Sequence, residues 1–312
     1  MARLDKRNKR KNGITTIILI IIPTLILIAN FLVIKENKTI EKNITLKNNQ
    51  LKEIKNKYNS KNEESLKIEE EINIIKDIDN FTIKKQEEYY QLLKTFEDKV
   101  SKKEIDYKIA YLTFDDGPYN LTHEFLKVLE DNNIGATFFT IGLDKDTCFD
   151  NPSKSCKEVY KKIASNGHTI ANHTYSHLIF NGLYSSTNSF MNNVKKQEDL
   201  IKSRTGVTTN IVRFPGGSAS AGSLKDSIIK ELRKSGYGWV DWTALNGDGG
   251  YIPDKQTAFN TFKKSIDSDI EVVLFHDYNS ITLSMLPDVI KYLQKEKYVL
   301  LPLFYESKMV NK

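Results

Sequence analysis

Two cysteines among 312 residues exclude a disulfide-knit miniprotein and a cysteine-rich zinc module. Glycine (15) and proline (7) are scarce and aromatics reach 10%, which excludes a collagen-like or globally disordered chain. A hydrophobic share of 39% is too low for a polytopic membrane protein. An excess of basic charge is missing from most of the chain. Of the net +6, residues 1–13 hold +5 (six basic, one acidic) and residues 35–104 hold +1 (16 Lys, 15 acids), so the remainder sums to zero. The basicity belongs to an N-terminal tail, and no nucleic-acid groove is indicated.

Long apolar runs are also lacking, with one exception. Ile14 to Ile34 has 21 residues and no charge. As a helix it spans roughly 31 Å, about one hydrocarbon core. Pro23 and Asn30 do not prevent insertion. Arg3, Lys6, Arg7, Lys9, Arg10 and Lys11 precede it, and the flank after it is mixed in sign. The positive-inside rule places the N-terminus in the cytoplasm and everything after residue 34 outside. The alternative is a cleaved signal peptide. The apolar region is long for that, and no small-x-small site follows.

Residues 35–104 are rich in Lys, Glu and Asn and contain neither Gly nor Pro. Ile40, Ile44, Leu51, Ile54, Tyr58, Ile68, Ile72 and Ile75 fall at heptad-like places, interrupted by Lys47, Lys61 and Ser65. The pattern suits either a helical stalk, self-associating as a short coiled coil, or a solvated and partly disordered spacer. The expected organisation is a tail (1–13), a transmembrane anchor (14–34), a stalk (35–104) and a folded domain (105–312).

In that domain strand-like runs (109–114, 136–141, 210–214, 237–242, 271–276, 298–303) alternate with helix-like stretches near 121–132, 154–165, 188–203, 223–235, 255–267 and 284–296. Such alternation predicts a parallel α/β sheet or barrel. Asp115, Asp116, Arg213, Asp241 and His276 stand at strand ends, which converge on one mouth in a β/α barrel.

TFDDGP (113–118) sets two carboxylates side by side. Adjacent strand residues point opposite ways, so Asp115 and Asp116 take different jobs unless the chain turns, and Gly117-Pro118 supplies a turn. HTYSH (173–177) is a His-x-x-x-His pair in a chain with five His. On one helical turn the two share a face and can chelate one ion. With one carboxylate they make a site suited to zinc, and also to cobalt, nickel or iron. RFPGGS (213–218) offers an Arg able to hold a carboxylate and a turn whose backbone can approach a substrate. Asp241 is a candidate to orient His276. Trp242 is either a pocket wall or core, His168 a candidate support, and His123 a surface residue. Cys148 and Cys156 enclose a short loop. Outside the membrane they can pair as a disulfide, and two free thiols are the alternative.

Taken in order, TFDDGP, HTYSH, RFPGG, DW and LFH resemble the five motifs of the NodB-type polysaccharide deacetylases, carbohydrate esterase family 4, over about residues 107–305. The resemblance implies a distorted (β/α) barrel that removes acetyl groups from sugar polymers with a divalent metal. It implies Asp115 as general base and Asp116, His173 and His177 as metal ligands. Arg213 would hold Asp115, and Asp241 would hold the general acid His276. Leu274 and Trp242 would line the acetyl pocket, and the Gly216 N–H would meet the oxyanion. Many relatives carry Arg-Pro-Pro and an aromatic where this chain has Arg-Phe-Pro-Gly, which leaves the sugar-stacking role of that aromatic unfilled. With the anchor and stalk, the expected substrate is peptidoglycan N-acetylglucosamine. Another acetylated envelope glycan is the alternative, and a catalytically silent glycan-binding protein is a third reading.

Overall fold

The computed structural model describes residues 87–142, Cys148 and residues 155–312, together with Lys35, Lys38, Lys42 and Asn49 in helical conformation. The expected anchor and nearly all of the expected stalk before residue 87 lie outside the described residues. Among the described residues no helix is long and apolar enough to cross a membrane.

Strand β1 (Lys108–Asp115) shows how the site is positioned. Ala110, Leu112 and Phe114 pack in one core cluster, while Ile109 and Tyr111 pack in another. The two-residue period of a strand produces this division. Thr113 and Asp115 continue the face of Ile109 and Tyr111. The same rule operates in β7 (Ile270–His276), where Val273 and Phe275 pack with the helices. Val272 packs inside, which sets Leu274 and His276 on the inner face.

The other strands are β2 (Thr137–Thr140), β3 (Thr169–Asn172), β4 (Ile211–Val212), β5 (Gly238–Trp239), β6 (Ala244–Leu245) and β8 (Tyr298–Leu301). They form one sheet in the order β5-β4-β3-β2-β1-β7-β6, with β8 also on β1. Every strand pair is parallel. β1 pairs with β7 over Ile109–Asp115, with β2 at Thr113–Asp115 and with β8 at Lys108–Tyr111. The end strands β5 and β6 do not pair with each other, so the expected distorted barrel is an open, curled half-barrel.

Helix α1 covers 87–101. Six more follow: α2 (Thr122–Asp131), α3 (Lys157–Ser165), α4 (Thr187–Thr205), α5 (Lys225–Lys234), α6 (Lys255–Ser265) and α7 (Ser280–Lys295). Local chemistry sets several ends. Ser186 caps α4 by accepting from the Ser189 N–H, and α4 stops at Gly206, whose φ of 76° suits glycine. Asp254 caps α6 through the Thr257 N–H. Asn279 caps α7, which starts before the expected residue 284.

Helix α1 corrects the expected boundary at residue 104. Tyr89, Leu93, Phe96 and Val100 recur every three or four residues and are buried against Ile109, Tyr111, Val272 and Leu301. Glu97 is fully buried and accepts from the Tyr111 hydroxyl at 3.0 Å, the Ser307 hydroxyl at 2.6 Å and the Lys308 N–H at 3.0 Å. The helix therefore fills the N-terminal end of the half-barrel and belongs to the folded domain. The short β3 and β6 were not expected either. Of the two states open to Cys148 and Cys156, the disulfide is the one present, with their Cα atoms 4.8 Å apart.

Candidate active site

Arg213 is the hub. It follows β4, is fully buried, and its side chain crosses to β1. Its Nη1 donates to Thr113 Oγ1 at 2.6 Å and to Asp115 Oδ1 at 2.8 Å. Its Nε donates to the Val240 carbonyl at 3.3 Å and Nη2 to the Asp241 carbonyl at 3.2 Å. Phe139 of β2 lies 4.1 Å below the guanidinium. Burial works against the charge of Arg213, and Asp115 opposes that loss. Arg213 holding Asp115 is as expected.

Asp115 ends β1, and Asp116 takes a left-handed φ of 74° before the cis Gly117-Pro118 bond. The turn brings both carboxylates to the same mouth. Asp116 Oδ1 lies 3.4 Å from His173 Nε2 and 3.1 Å from His177 Nε2. Asp115 Oδ2 lies 3.6 Å from His173 Nε2. The histidines do not share a helical turn, contrary to expectation. They follow β3 in a loop where Thr174 has φ 65° and His177 φ 52°. Asn172 Oδ1 accepts from the Thr174 N–H at 2.9 Å and Thr174 Oγ1 from the His177 N–H at 3.4 Å. Those local bonds, rather than a helix, fold the pair together.

Three observations fit Asp116, His173 and His177 to a metal. One ligand atom from each lies within 4.8 Å of the others. Asp116 Oδ1 is buried without a hydrogen-bond partner among the described residues. His173 Nδ1 donates to the Arg213 carbonyl at 2.9 Å, which leaves the lone pair on Nε2, toward Asp116. Burial pushes Asp116 up, but the neighbouring imidazoles of His173, His177 and His276 carry it down to about 2. Burial and neighbouring His173 hold His177 below its ordinary value. Both shifts favour the ligating forms.

His276 ends β7, with Nε2 3.8 Å from Asp116 Oδ2. Its partner is not Asp241. Asp248, in the turn after β6, accepts from His276 Nδ1 at 2.7 Å and from the His276 N–H at 2.9 Å. Thr282 of α7 donates to the same carboxylate at 2.6 Å. Asp241 accepts instead from the Ser218 N–H at 2.9 Å and its hydroxyl at 2.6 Å, so it shapes the Gly216-Gly217 turn. β6 lies between the two aspartates in sequence and pairs with β7, which delivers Asp248 to His276. Burial opposes the charged imidazole. The Asp248 hydrogen bond and charge outweigh it and, with Asp115 and Asp116, raise His276 to about 9.

Leu274 stands two residues before His276 on the same inner face, in register with Thr113 and Leu245. Trp242 is half-buried, and its ring would meet a Cβ on Gly217 at 3.1 Å. Gly216 is exposed with φ 73° and its carbonyl accepts from Ser220 Oγ at 2.7 Å. His168 stands away from the mouth. Its Nδ1 accepts from the Ala136 N–H at 3.1 Å and burial pushes it down to about 3, so it is a core residue. Asp277, next to His276, is fully buried and receives the Thr122 hydroxyl at 2.6 Å. A Cβ on Gly117 would overlap its carboxyl, which explains the glycine there.

Residues 102–239 match the polysaccharide deacetylase family model. The chain carries a polysaccharide deacetylase domain. This deacetylase domain, of the NodB or CE4 type, belongs to a family of hydrolases acting on N-acetyl groups. It is similar to the peptidoglycan-N-acetylglucosamine deacetylase of Bacillus cereus, 29% identical over 197 residues, which cover 61% of this chain and 67% of that one. YheN of Bacillus subtilis is 30% identical over 198 residues, and the chain spans 65% of its length. Among solved structures, the catalytic domain of the peptidoglycan N-acetylglucosamine deacetylase from Eubacterium rectale has a TM-score of 0.59 at 29% identity. It covers 66% of this chain and 93% of its own. A Streptococcus mutans CE4 esterase has a TM-score of 0.56 at 29% identity, covering 63% and 86%.

Asp248 and Ser218 were missed by sequence reasoning. The only signal for Asp248 was an acid inside the glycine-rich NGDGG after a strand.

Proposed function

We propose that the protein is a membrane-tethered, metal-dependent deacetylase of peptidoglycan N-acetylglucosamine. One observation carries the reading. The unpartnered Asp116 oxygen lies between two imidazoles, with the Arg213-held Asp115 carboxylate and the Asp248-held His276 beside it. Asp116, His173 and His177 would hold a divalent ion, zinc first and cobalt or nickel as alternatives. When bound, it supplies Lewis acidity that polarises the acetyl carbonyl and acidifies water.

The chain's own residues account for the proton transfers. Arg213 fixes Asp115 through Oδ1, leaving Oδ2 toward the mouth to take a proton from the attacking water. The Gly216 N–H would stabilise the oxyanion. Asp248 holds Nδ1–H of His276, so Nε2 carries the proton given to the departing amine. Water oxygen bonds to the carbonyl carbon as its proton passes to Asp115, the tetrahedral oxyanion then collapses with cleavage of the carbon–nitrogen bond as His276 protonates the nitrogen, and the products are acetate and a free amino sugar.

The tether rests on the uncharged segment 14–34 and the basic tail before it. A domain held outside the membrane meets nascent wall glycan first. The relatives from Bacillus cereus and Eubacterium rectale carry the name of that activity. Deacetylated strands bear protonated amines, which repel cationic lysozyme-type muramidases and remove the acetamide they contact. Muropeptide mass spectrometry of deleted and restored strains tests this. Less free glucosamine and greater lysozyme sensitivity on deletion are expected. An unchanged glucosamine fraction with altered acetylation of another envelope polymer moves the substrate to that polymer.

A further inference from the structure

Four large apolar side chains stand out in solvent among the described residues: Leu178, Val207, Phe180 (96% exposed) and Tyr251 (91%). Single exposed apolar residues are ordinary, so exposure alone decides nothing. Their placement does. Three of the four lie within three residues of an active-site side chain. Leu178 and Phe180 follow the ligand His177, and Tyr251 follows Asp248.

Phe180 is presented on a fixed segment. Ile179 Cδ1 lies 3.3 Å from where a Cβ on Gly216 would stand, so the segment rests on the oxyanion turn. Tyr184 Oη donates to the Pro215 carbonyl at 2.8 Å, tying its far end to the same turn. The hydroxyls of Ser185 and Ser189 hold the Gly182 carbonyl at 2.7 and 2.6 Å. On the other flank, a Cβ on Gly249 would lie 3.0 Å from His276 Cε1, so the turn leading to Tyr251 lies against the imidazole. His177 and His276 face the two oxygens of one carboxylate, Asp116. The two aromatics thus emerge beside the two histidines that meet Asp116, on backbone held against the Gly216 turn in one case and against His276 in the other.

A pyranose ring has an apolar face of C–H groups that packs flat on an aromatic face, whose surface is electron-rich. A single acetylated sugar fills the reaction centre. Only a polymer also places sugars over both flanks. We propose that Phe180 and Tyr251 are sugar-stacking platforms on the two sides of the reacting residue, selecting a pyranose polymer over short fragments. The proposal rests on the glycan-deacetylase reading above. Platforms ordered before binding lose little entropy when the strand arrives.

The test compares acetate release by the full chain from the N-acetylglucosamine dimer and pentamer. Phe180→Ala and Tyr251→Ala are measured beside the ring-conserving Phe180→Tyr and Tyr251→Phe. Each Ala variant should cut the pentamer's advantage over the dimer in kcat/KM roughly tenfold, through KM, as loss of one aromatic anchor does. The ring-conserving variants should restore it. Equal losses on both lengths, or none, overturn the proposal. It is also overturned if Phe180→Ala spares the pentamer's advantage but abolishes adsorption to anionic lipid vesicles, or changes the sedimenting mass. Calorimetric binding of the pentamer separates the two readings. Aromatic-dependent binding without acetate release by the unaltered chain would remove the deacetylase reading and keep the platforms. Acetate release indifferent to length would do the reverse.

Discussion

Removing the charge of Asp248 should move the pH profile of turnover, and removing that of Asp241 should not. Asp248 accepts from His276 Nδ1 at 2.7 Å, whereas Asp241 is engaged by Ser218. Raising His276 from 6.5 to about 9 corresponds to on the order of 3 kcal/mol favouring the protonated ring. In the proposed mechanism His276 gives its proton to the departing amine, so activity falls as pH rises through its folded pKa. In Asp248→Asn the amide oxygen still accepts from Nδ1–H, but the charge is gone and burial prevails. The alkaline limb should then retreat to about 6.5 or below. At pH 8 this amounts to a roughly 30-fold loss of kcat, recovering toward pH 6. A bound divalent ion acts on both proteins alike, so the readout is the difference between the two limbs. Acetate release across about pH 5–10 measures it. The same linkage acts on stability. Because the folded pKa is raised, the contribution is complete below 6.5 and is lost up to about 9, so the melting-temperature gap between the two proteins should close over that window. An unmoved alkaline limb in Asp248→Asn, or a shifted one in Asp241→Asn, refutes the assignment.

His177→Ala should lose the divalent ion and turnover while keeping its fold, as elemental analysis and circular dichroism would show; full activity in metal-free protein sinks the hydrolytic reading. Asp115→Asn should retain the metal yet lose about 10²–10⁴-fold in kcat, and near-normal turnover would contradict its role as base. Phe96→Ala should cost about 3–5 kcal/mol in denaturant unfolding, because Phe96 is buried inside the half-barrel; a spacer residue would cost nothing. Protease added to intact protoplasts should release the C-terminal domain from the membrane, and protection until lysis would reverse the expected topology.

Much of the helical layer was legible because amphipathic periodicity and caps are local. The expected stretches near 188–203 and 255–267 correspond to α4 (Thr187–Thr205) and α6 (Lys255–Ser265). β3 and β6 escaped because TIAN and AL are too short to show a period. Helix α1 escaped because its apolar spacing reads the same on a free stalk as on a docked helix. Only the burial of Phe96 and Glu97 separates the two.

The residue types of the site were set by the chain alone. Asp115, Asp116, Arg213 and His276 each close a strand or a turn visible in the sequence, His173 and His177 were marked by their spacing alone, and the structure brings all six together. Which carboxylate serves His276 was decided only by the fold. Asp241 and Asp248 are both acids just past short apolar runs, and no periodicity distinguishes them. The lateral pairing of β6 with β7 does, because it carries Asp248, and not Asp241, to within hydrogen-bonding distance of the imidazole. Nor could spacing reveal that His173 and His177 meet through a left-handed loop. Four residues apart suits a helical turn equally well, and the choice was made by the Asn172 and Thr174 side chains bonding the loop backbone.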